Sequence, residues 1–447
     1  MGLATHMNRP FALAERNVPR YTSYPTAPHF SAAVTPAVYR QWLEALSPNA
    51  TLSLYIHVPF CQELCHYCGC NTRAVRKREP IDAYAEELLK EIALLGMVAG
   101  RELTHLHWGG GTPSILGPRW LETIADRLAA LFDFSGVKEH AIELDPRRVD
   151  RPLVGALKAI GVTRASLGVQ DVSEDVQRLI GRVQPFALVE RAAEWLREAG
   201  IRDLNIDLMY GLPGQTAAHV RDSAQRAAAL KSQRLALFGY AHVPWFKTHQ
   251  RLIDESQLPG LTERLEQAEA AAESLRAAGY ESVGLDHFAL PDDSLAVAAR
   301  EKRLRRNFQG YTVDEADALI GLGASAIGKL PQGFAQNAPD LGGYSRSLAA
   351  GEFPIVKGLA LSNDDRLRAA MIERLMCDLE LDLAAFGGRD RFAEEVESLA
   401  PLVDAGLARI EGEHIVMAAE GRAYVRIAAA AFDAHLAAGQ KRHSLAI

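Results

Sequence analysis

The sequence predicts an α/β protein built around an open or partial (β/α)6 TIM-like barrel of parallel strands. Three observations indicate this fold. Six short apolar segments alternate with segments of helical periodicity. The strand segments are mostly apolar along their length, as expected for parallel strands covered on both faces. The conspicuous motifs all fall where a predicted strand ends, and barrels of this class carry their chemistry at that end.

The repeated units follow one another in chain order. The predicted strands are TLSLYIHV (51–58), LTHLHWG (103–109), HAIELD (140–145), RASLGVQ (164–170), DLNIDLMYG (203–211) and RLALFGYAHV (234–243). Helices are expected between them because apolar residues recur at spacings of three and four. Two such stripes are Ile81, Tyr84, Leu88, Ile92 and Leu95, and Trp120, Ile124, Leu128 and Leu131.

Four regions are predicted along the chain. An N-terminal segment (1–48) closes over the active site, a catalytic barrel occupies 49–290, and a barrel extension (291–360) leads to a C-terminal domain (361–447). The last region begins with helix-capping residues in SNDDRLRAAMIERLMCDL and continues as helix, glycine-turned hairpin and helix. This pattern predicts a mainly helical, winged-helix-like domain. It lacks the clustered Lys and Arg of a DNA reader, so a lid or packing role is expected.

Composition excludes several protein classes. The 447 residues are 48% hydrophobic and carry a formal net charge of −7, which argues against an extended nucleic-acid surface. No run of about 18 apolar residues is present, and the first thirty residues lack a signal-peptide core. We therefore expect a cytoplasmic protein without a membrane span, and we expect a monomer.

Four of the five cysteines lie within ten residues, at Cys61, Cys65, Cys68 and Cys70. Zinc sites commonly draw on two separated ligand pairs, and no second pair is present. A redox Cys-x-x-Cys motif needs neither the first nor the last of these thiols. The third interpretation is an iron-sulfur cluster held by thiolates, in which the spacing C-x-x-x-C-x-x-C supplies three ligands and leaves one iron open. Cys377 lies alone in a helical pattern, which indicates a core position.

The motif C-x-x-x-C-x-x-C in the loop after a first barrel strand resembles that of radical S-adenosylmethionine enzymes. More narrowly, PRYTSYPTAPHF, CQELCHYCGCNT, HWGGGTPS, ELDPR, SLGVQD, NIDLMYGLPGQT, DHFALPDD and RNFQGYT together resemble the oxygen-independent coproporphyrinogen III oxidases. The resemblance implies that Cys61, Cys65 and Cys68 bind a [4Fe-4S] cluster whose fourth iron is chelated by S-adenosylmethionine. It also implies that Cys70 does not bind the cluster yet is required for turnover.

The same resemblance implies contacts to two S-adenosylmethionine molecules. Glu143 and the GGGTP turn belong to the first, through Gly110, with Gly111 and Thr112 also near the second. Gln170, Arg182 and Asp207 surround the second, and Arg182 lies between the two. The implied catalytic residues are Cys70, Tyr55 and Arg182. The full implied cofactor-binding set is Tyr55, Tyr67, Gly110, Gly111, Thr112, Glu143, Gln170, Arg182, Asp207, Ala241 and Ile327. Independently, glycines after a strand permit close backbone approach to a ligand, and an ionised Glu143 among apolar neighbours needs a partner.

The reaction implied by the resemblance is oxidative decarboxylation of coproporphyrinogen III to protoporphyrinogen IX in haem biosynthesis. A 5′-deoxyadenosyl radical removes a propionate β-hydrogen; two S-adenosylmethionine are consumed, and two carbon dioxide, two methionine and two 5′-deoxyadenosine are released. An unidentified one-electron donor and a final electron acceptor are required. Arg20, Arg305 and Arg306 are candidates for binding substrate carboxylates.

Three alternatives stay open from the sequence. Haem-trafficking proteins of the same superfamily share the three-cysteine motif, but they lack the fourth cysteine and the RYTSYPTA segment that this chain has. A radical methyltransferase or ring-opening enzyme acting on haem would differ in its product. A redox-sensing cluster protein would hold a cluster without cleaving S-adenosylmethionine.

Overall fold

The computed structural model describes residues 13–436. Among them, twelve strands form one mixed sheet in the order β16-β15-β14-β13-β1-β4-β5-β6-β7-β8-β10-β9. The strands, in chain order, are β1 Leu52–Val58, β2 Phe60–Cys61, β3 Arg73–Ala74, β4 Leu103–Gly110, β5 Glu139–Leu144, β6 Arg164–Gln170, β7 Asp203–Tyr210, β8 Arg234–Gly239, β9 Glu281–Val283, β10 His287–Ala289, β11 Arg305–Asn307, β12 Gly310–Thr312, β13 Ala318–Leu322, β14 Ile327–Leu330, β15 Gly333–Asn337, β16 Ile355–Ala360, β17 Glu380–Asp382, β18 Ala408–Glu411 and β19 His414–Met417.

Helices connect the parallel strands and cover the sheet. Those in the described part of the chain are α1 Pro36–Glu44, α2 Glu79–Leu94, α3 Pro118–Ala129, α4 Arg151–Ala159, α5 Glu174–Leu179, α6 Phe186–Glu198, α7 Ala217–Ala229, α8 Leu261–Ala277, α9 Ser294–Arg300, α10 Leu341–Ala349, α11 Asn363–Asp378, α12 Ala393–Ser398, α13 Ala400–Asp404 and α14 Val425–Ala431. Within residues 13–436, none of the helices combines the length and the apolar character needed to cross a bilayer.

The six predicted barrel strands are confirmed as β1, β4, β5, β6, β7 and β8, all paired in parallel. Their apolar residues are buried on both faces, as in β1, where six of seven positions are buried. The predicted helical stripes lie on α2 and α3 and face the core, except that Leu95 and Leu131 lie just beyond the ends of these helices. The last predicted strand is shorter than expected, because β8 ends at Gly239 and residues 240–243 begin a loop.

The sheet extends beyond the six predicted strands at both edges. β13 pairs in parallel with β1, placing Gly321 beside Tyr55, and β14, β15 and β16 follow in antiparallel order. At the other edge β10 pairs with β8, and β9 pairs with β10, both antiparallel. These added strands therefore lengthen a partial barrel without closing it into a ring of alternating strands and helices.

The C-terminal region has the predicted order of helix, hairpin and helix. Ser362 caps α11 through a reciprocal pair of bonds with Asp365, and β18 and β19 form the hairpin. Its apolar core also contains side chains of the N-terminal segment, namely Leu13, Ala14, Val18, Tyr21 and Tyr24. The Tyr21 hydroxyl donates to Asp433 (2.9 Å), so the segment is fastened to the C-terminal domain.

The predicted region boundaries at 48, 290 and 360 stay predictions. Residues 1–12 of the N-terminal segment and 437–447 of the C-terminal domain lie outside the described residues. Cys377 is buried on α11, in the kind of position its helical pattern indicates.

Candidate active site

The four clustered cysteines lie in the loop that follows β1. β2 and β3 pair at the base of this loop, Phe60 opposite Arg73 and Cys61 opposite Ala74. The glycine turn after β4 is joined to the same base, because Thr112 N–H donates to the Phe60 carbonyl (2.8 Å). Cys65 is buried, Cys61 and Cys68 are half-buried, and Cys70 is exposed.

Hydrogen-bond donors from three elements reach the sulfur atoms of the loop. The Thr112 hydroxyl lies 3.4 Å from Cys61 Sγ, and the Thr72 hydroxyl lies at the same distance from that sulfur. Arg182 Nη1 donates to Cys65 Sγ (3.5 Å). Donors to thiolate sulfurs stabilise the charged ligands of an iron-sulfur cluster and influence its reduction potential. In the described part of the chain, no three His, Cys, Asp or Glu side chains are arranged to hold a single metal ion.

Cys70 interacts with one of the expected cluster ligands. A hydrogen bond from the Cys70 thiol lowers the pKa of Cys68 to about 7. The structure therefore places the fourth thiol beside the motif.

Side chains of the loop after β8 form hydrogen bonds to backbone carbonyls of the cysteine loop. His249 Nε2 lies 2.7 Å from the Cys68 carbonyl oxygen, and Lys247 Nζ donates to the Cys70 carbonyl (2.8 Å). Gln250 Nε2 donates to the carbonyls of both Tyr67 (2.9 Å) and Ala241 (3.3 Å). These clamping residues were missed by sequence reasoning, since they lie about 180 positions from their partners and belong to no motif.

The glycine turn at the end of β4 has no room for side chains. Gly110 adopts a φ of +115°, and a Cβ there would lie 2.7 Å from the His57 ring. A Cβ on Gly111 would lie 2.5 Å from the Phe60 carbonyl oxygen. Gly110 N–H donates to Glu143 Oε2 (3.1 Å), and Glu143 Oε1 lies 3.2 Å from His107 Nε2. Glu143 therefore stands at the turn with a partner on each oxygen.

Tyr55 is oriented by a histidine that sequence reasoning missed. The Asn71 carbonyl accepts from His57 Nε2 (2.9 Å), so Nε2 carries the proton and Nδ1 accepts from the Tyr55 hydroxyl (2.9 Å). Burial lowers the pKa of His57, which keeps the imidazole neutral. The Tyr55 hydroxyl therefore donates its hydrogen bond to His57, and its oxygen lone pairs remain available to accept hydrogen bonds.

Arg182 occupies a buried position between the cysteine loop and β6. Its Nη2 donates to the Gly168 carbonyl (2.6 Å) and to Asp145 Oδ1 (3.3 Å), while Nη1 faces Cys65. Gln170, at the end of the same strand, has a φ of +69°, a conformation uncommon outside glycine and typical of functional positions.

Asp207 lies on the neighbouring strand β7. It accepts hydrogen bonds from Ser166 Oγ and Asn205 Nδ2, each at 2.8 Å. Burial raises the pKa of Asp207 to about 6. A cavity of about 180 Å³ runs inside the sheet beneath this position and is lined by Glu143 and Asp207, among others.

The remaining predicted contacts fall at the same end of the sheet. Ile327 opens β14 and lies against Gly321, where a Cβ would be 2.8 Å from the Ile327 carbonyl carbon. Since Gly321 pairs with Tyr55, Ile327 reaches the mouth of the barrel. The structure therefore places the implied set between the middle of the strands and the loops at their carboxyl ends, while the individual roles of its members stay predictions.

Comparisons with known proteins agree with this arrangement. The model of the radical SAM superfamily matches residues 55–227, and the model of the HemN C-terminal domain matches residues 361–424. An oxygen-independent coproporphyrinogen III oxidase of Bradyrhizobium diazoefficiens is 47% identical, covering 97% of this chain and 98% of the relative. The chain belongs to the oxygen-independent coproporphyrinogen III oxidase family. It is accordingly a radical S-adenosylmethionine enzyme.

Other members of the oxygen-independent coproporphyrinogen III oxidase family match over similar lengths. The Escherichia coli enzyme is 39% identical and covers 94% of this chain and 93% of its own. A solved structure of the Escherichia coli coproporphyrinogen III oxidase, described as a radical SAM enzyme, superposes with a TM-score of 0.89 at 38% identity, over 93% of this chain and 98% of that chain. Membership in the radical SAM superfamily implies a [4Fe-4S] cluster and S-adenosylmethionine, which favours the iron-sulfur interpretation of the cysteine motif over the zinc and redox ones.

Proposed function

We propose that this chain oxidatively decarboxylates two propionate groups of coproporphyrinogen III to the vinyl groups of protoporphyrinogen IX. Each propionate loses one β-hydrogen atom, carbon dioxide and one electron, which leaves a carbon-carbon double bond. The observation that carries the proposal is the meeting of the cysteine loop, the glycine turn and Arg182 at one end of the sheet, in a chain of this family. When bound, the cluster and S-adenosylmethionine supply the electron and the carbon radical that remove the hydrogen atom.

Cys61, Cys65 and Cys68 are proposed as the cluster ligands. The donor set fits a thiolate-bound cluster, because Thr72 and Thr112 point at one sulfur and Arg182 points at another. The two hydroxyls and the Arg182 guanidinium are hydrogen-bond donors of the kind that thiolate ligands accept.

Two groups of polar atoms are proposed to hold two S-adenosylmethionine molecules. The first is the cluster-side group of Glu143 and the backbone of the turn after β4, where tight packing leaves no room for a side chain at Gly110 or Gly111. The second lies one strand further on, with Gln170 at the end of β6 and Asp207 within β7. Arg182 is buried between the groups, since it contacts Cys65 on one side and Gly168 on the other.

Arg182, Tyr55 and Cys70 are proposed as the catalytic residues. A guanidinium at the position of Arg182 would offset the carboxylates of two adjacent cofactors and would present a planar pair of donors. Tyr55 offers an acceptor oxygen fixed by His57, beside the glycine turn. Cys70 stays off the cluster, because three protein thiolates and one cofactor complete the four irons.

The proposed partners are the tetrapyrrole, a one-electron donor and a terminal electron acceptor, with no nucleic acid. We propose that the protein acts as a cytoplasmic monomer. The low formal charge and the absence of an extended basic face in the sequence support the view that its ligand is small. The N-terminal segment is proposed to close over the active site, since Arg20 Nη2 donates to the Gly239 carbonyl at the end of β8 (3.1 Å).

The direct test uses substrate labelled at the propionate carboxyl carbons. The reconstituted protein, reductant and S-adenosylmethionine are incubated without oxygen, and the products are separated by porphyrin chromatography and mass spectrometry. Release of two labelled carbon dioxide molecules per tetrapyrrole is expected. Intact coproporphyrinogen III, or a methylated or ring-opened product, would contradict the proposal.

A further inference from the structure

Three arginines from distant parts of the chain meet at the carboxyl ends of β7 and β8. Arg20 of the N-terminal segment donates to the Gly239 carbonyl, at the end of β8. Arg306 of β11 donates to the carbonyls of Tyr21 (3.3 Å) and Arg20 (3.4 Å). The N-terminal segment and β11 are thus held together over the mouth of the barrel by guanidinium groups.

Arg264 of α8 reaches the same place from the other side. Its guanidinium carbon lies 5.4 Å from the centre of the Tyr210 ring. A Cβ on Gly239 would lie 3.2 Å from Arg264 Nη2, and one on Gly211 would overlap Nη1. Gly239 therefore marks a point that both Arg20 and Arg264 approach. We call Arg20, Arg264 and Arg306 the arginine cluster.

The arginine cluster carries donors that the protein itself does not use. Within residues 13–436, the buried atoms Arg264 Nε and Arg306 Nη1 have no hydrogen-bond partner. Burying such donors unpaired is costly, so an acceptor is expected at this place. The rest of the Arg306 guanidinium contacts the protein. Its Nε donates to the Tyr21 carbonyl, and the group stacks 4.4 Å from the centre of the Tyr311 ring.

Positive charge also exceeds negative charge here. Asp286 counters the cluster, but its carboxylate is already bonded to His287 Nδ1 (2.8 Å). Burial and the charge of Arg20 lower the pKa of Arg264. The same two causes lower the pKa of the neighbouring Arg426 to about 10. The Arg264 guanidinium, which Arg20 repels in this way, is stabilised by an added anion.

We propose that the arginine cluster binds propionate carboxylates of the tetrapyrrole substrate. This inference rests on the proposed function. The substrate carries four propionates and only two react, so the other two carboxylates can anchor the ring. The cluster is well placed for this, because Gly239 precedes the proposed cofactor contact Ala241 by two residues and Tyr210 follows Asp207 by three. A planar guanidinium fork matches a carboxylate by paired hydrogen bonds.

Arg305 provides a matched control. Nothing in the sequence separates Arg305 from Arg306, but in the structure Arg305 is exposed and pairs with Glu373 (3.1 Å). Among the described residues, its guanidinium forms no hydrogen bond to the barrel mouth or to the N-terminal segment. A substitution there changes the same charge on the same strand without touching the cluster.

The experiment measures binding of coproporphyrin III, a stable tetracarboxylate, to the reconstituted holoprotein by fluorescence titration. Its tetramethyl ester, in the same detergent-containing buffer, serves as the uncharged probe. Arg264→Gln and Arg20→Gln are each expected to weaken binding of the acid by about tenfold or more, the usual effect of losing a hydrogen bond to a charged group. Binding of the ester should not change, and Arg305→Gln should bind both probes as the parent does. Iron content and S-adenosylmethionine binding should match the parent in all three variants.

Two results would overturn the proposal. One is unchanged affinity of Arg264→Gln and Arg20→Gln for the acid; the other is an equal loss for acid and ester, which would indicate a packing role. Should either variant misfold by circular dichroism, Arg264→Lys keeps the charge without the fork and is expected to retain intermediate affinity for the acid. If the parent binds coproporphyrin III but forms no protoporphyrinogen IX, the proposed function fails while the arginine cluster stands.

Discussion

Replacing Arg182 by Lys tests the idea that one planar cation organises two cofactor sites. Arg182 uses two nitrogens for three acceptors: the Gly168 carbonyl, Asp145 and Cys65 Sγ. A lysine ammonium group has its charge and its donors on one nitrogen, so it cannot bond to Cys65 and to Gly168 at the same time. Losing one charge-assisted hydrogen bond costs about 1.5–3 kcal/mol, or roughly 10- to 100-fold in affinity. Asp145 keeps its bidentate partner Arg147, so the fold should survive the change.

The assay is equilibrium dialysis of S-adenosylmethionine against reconstituted protein, together with iron analysis. The parent should plateau at two S-adenosylmethionine per chain, and Arg182→Lys should keep its iron while its second binding step weakens by the factor above. The cluster potential should also fall, since Cys65 loses a donor that stabilises the reduced form. Arg178→Lys is the control. Within residues 13–436, the Arg178 side chain forms only exposed ion pairs, with Glu174 and Asp175. If Arg182→Lys bound two S-adenosylmethionine molecules as the parent does, a planar guanidinium would not be needed to organise the two sites.

Three further predictions concern single side chains. Cys61→Ala, Cys65→Ala and Cys68→Ala should each abolish the visible absorbance and most of the iron of the cluster, and full iron in any of them would contradict the ligand assignment. Cys70→Ala should keep iron and S-adenosylmethionine but lose tetrapyrrole turnover; normal turnover would reduce Cys70 to a packing residue. Burial raises the pKa of Glu91 to about 7, so the folded state holds a proton that the unfolded state releases above about pH 4.5, and stability should fall by roughly 3 kcal/mol as pH rises from 4.5 to 7. The urea midpoint of the apoprotein should show a decline that is smaller in Glu91→Gln by about this amount, because buried carboxyls such as Asp207 lose stability over the same pH range in both proteins. Identical pH profiles would show that the Glu91 carboxyl is not protonated in the fold.

Much of the barrel could be predicted because its signals are local. The strands β1 and β4 to β8 are long apolar runs, and a parallel sheet places their ends at one edge. The strands at the sheet edges were missed for the opposite reason. β9, β10 and β14 have three or four residues each, and so short a segment shows no reliable periodicity.

The residues of the site also divide into those that a local sequence motif predicts and those that it does not. The cysteines and the glycine turn belong to contiguous motifs, whereas Gln250 and Arg264 act across the fold on residues that no spacing rule connects to them. The N-terminal segment shows the same limit. Its RYTSYPTA motif predicted a loop over a ligand, but its burial in the core of the C-terminal domain depends on tertiary packing.

Each vinyl group formed by this chain is proposed to consume one S-adenosylmethionine. The most direct measurement counts 5′-deoxyadenosine, methionine and protoporphyrinogen IX together after anaerobic reaction of the reduced holoprotein with limiting coproporphyrinogen III. Two 5′-deoxyadenosine and two methionine are expected for every protoporphyrinogen IX. Cleavage of S-adenosylmethionine with the coproporphyrinogen III recovered intact, or product formed without 5′-deoxyadenosine, would contradict this expectation.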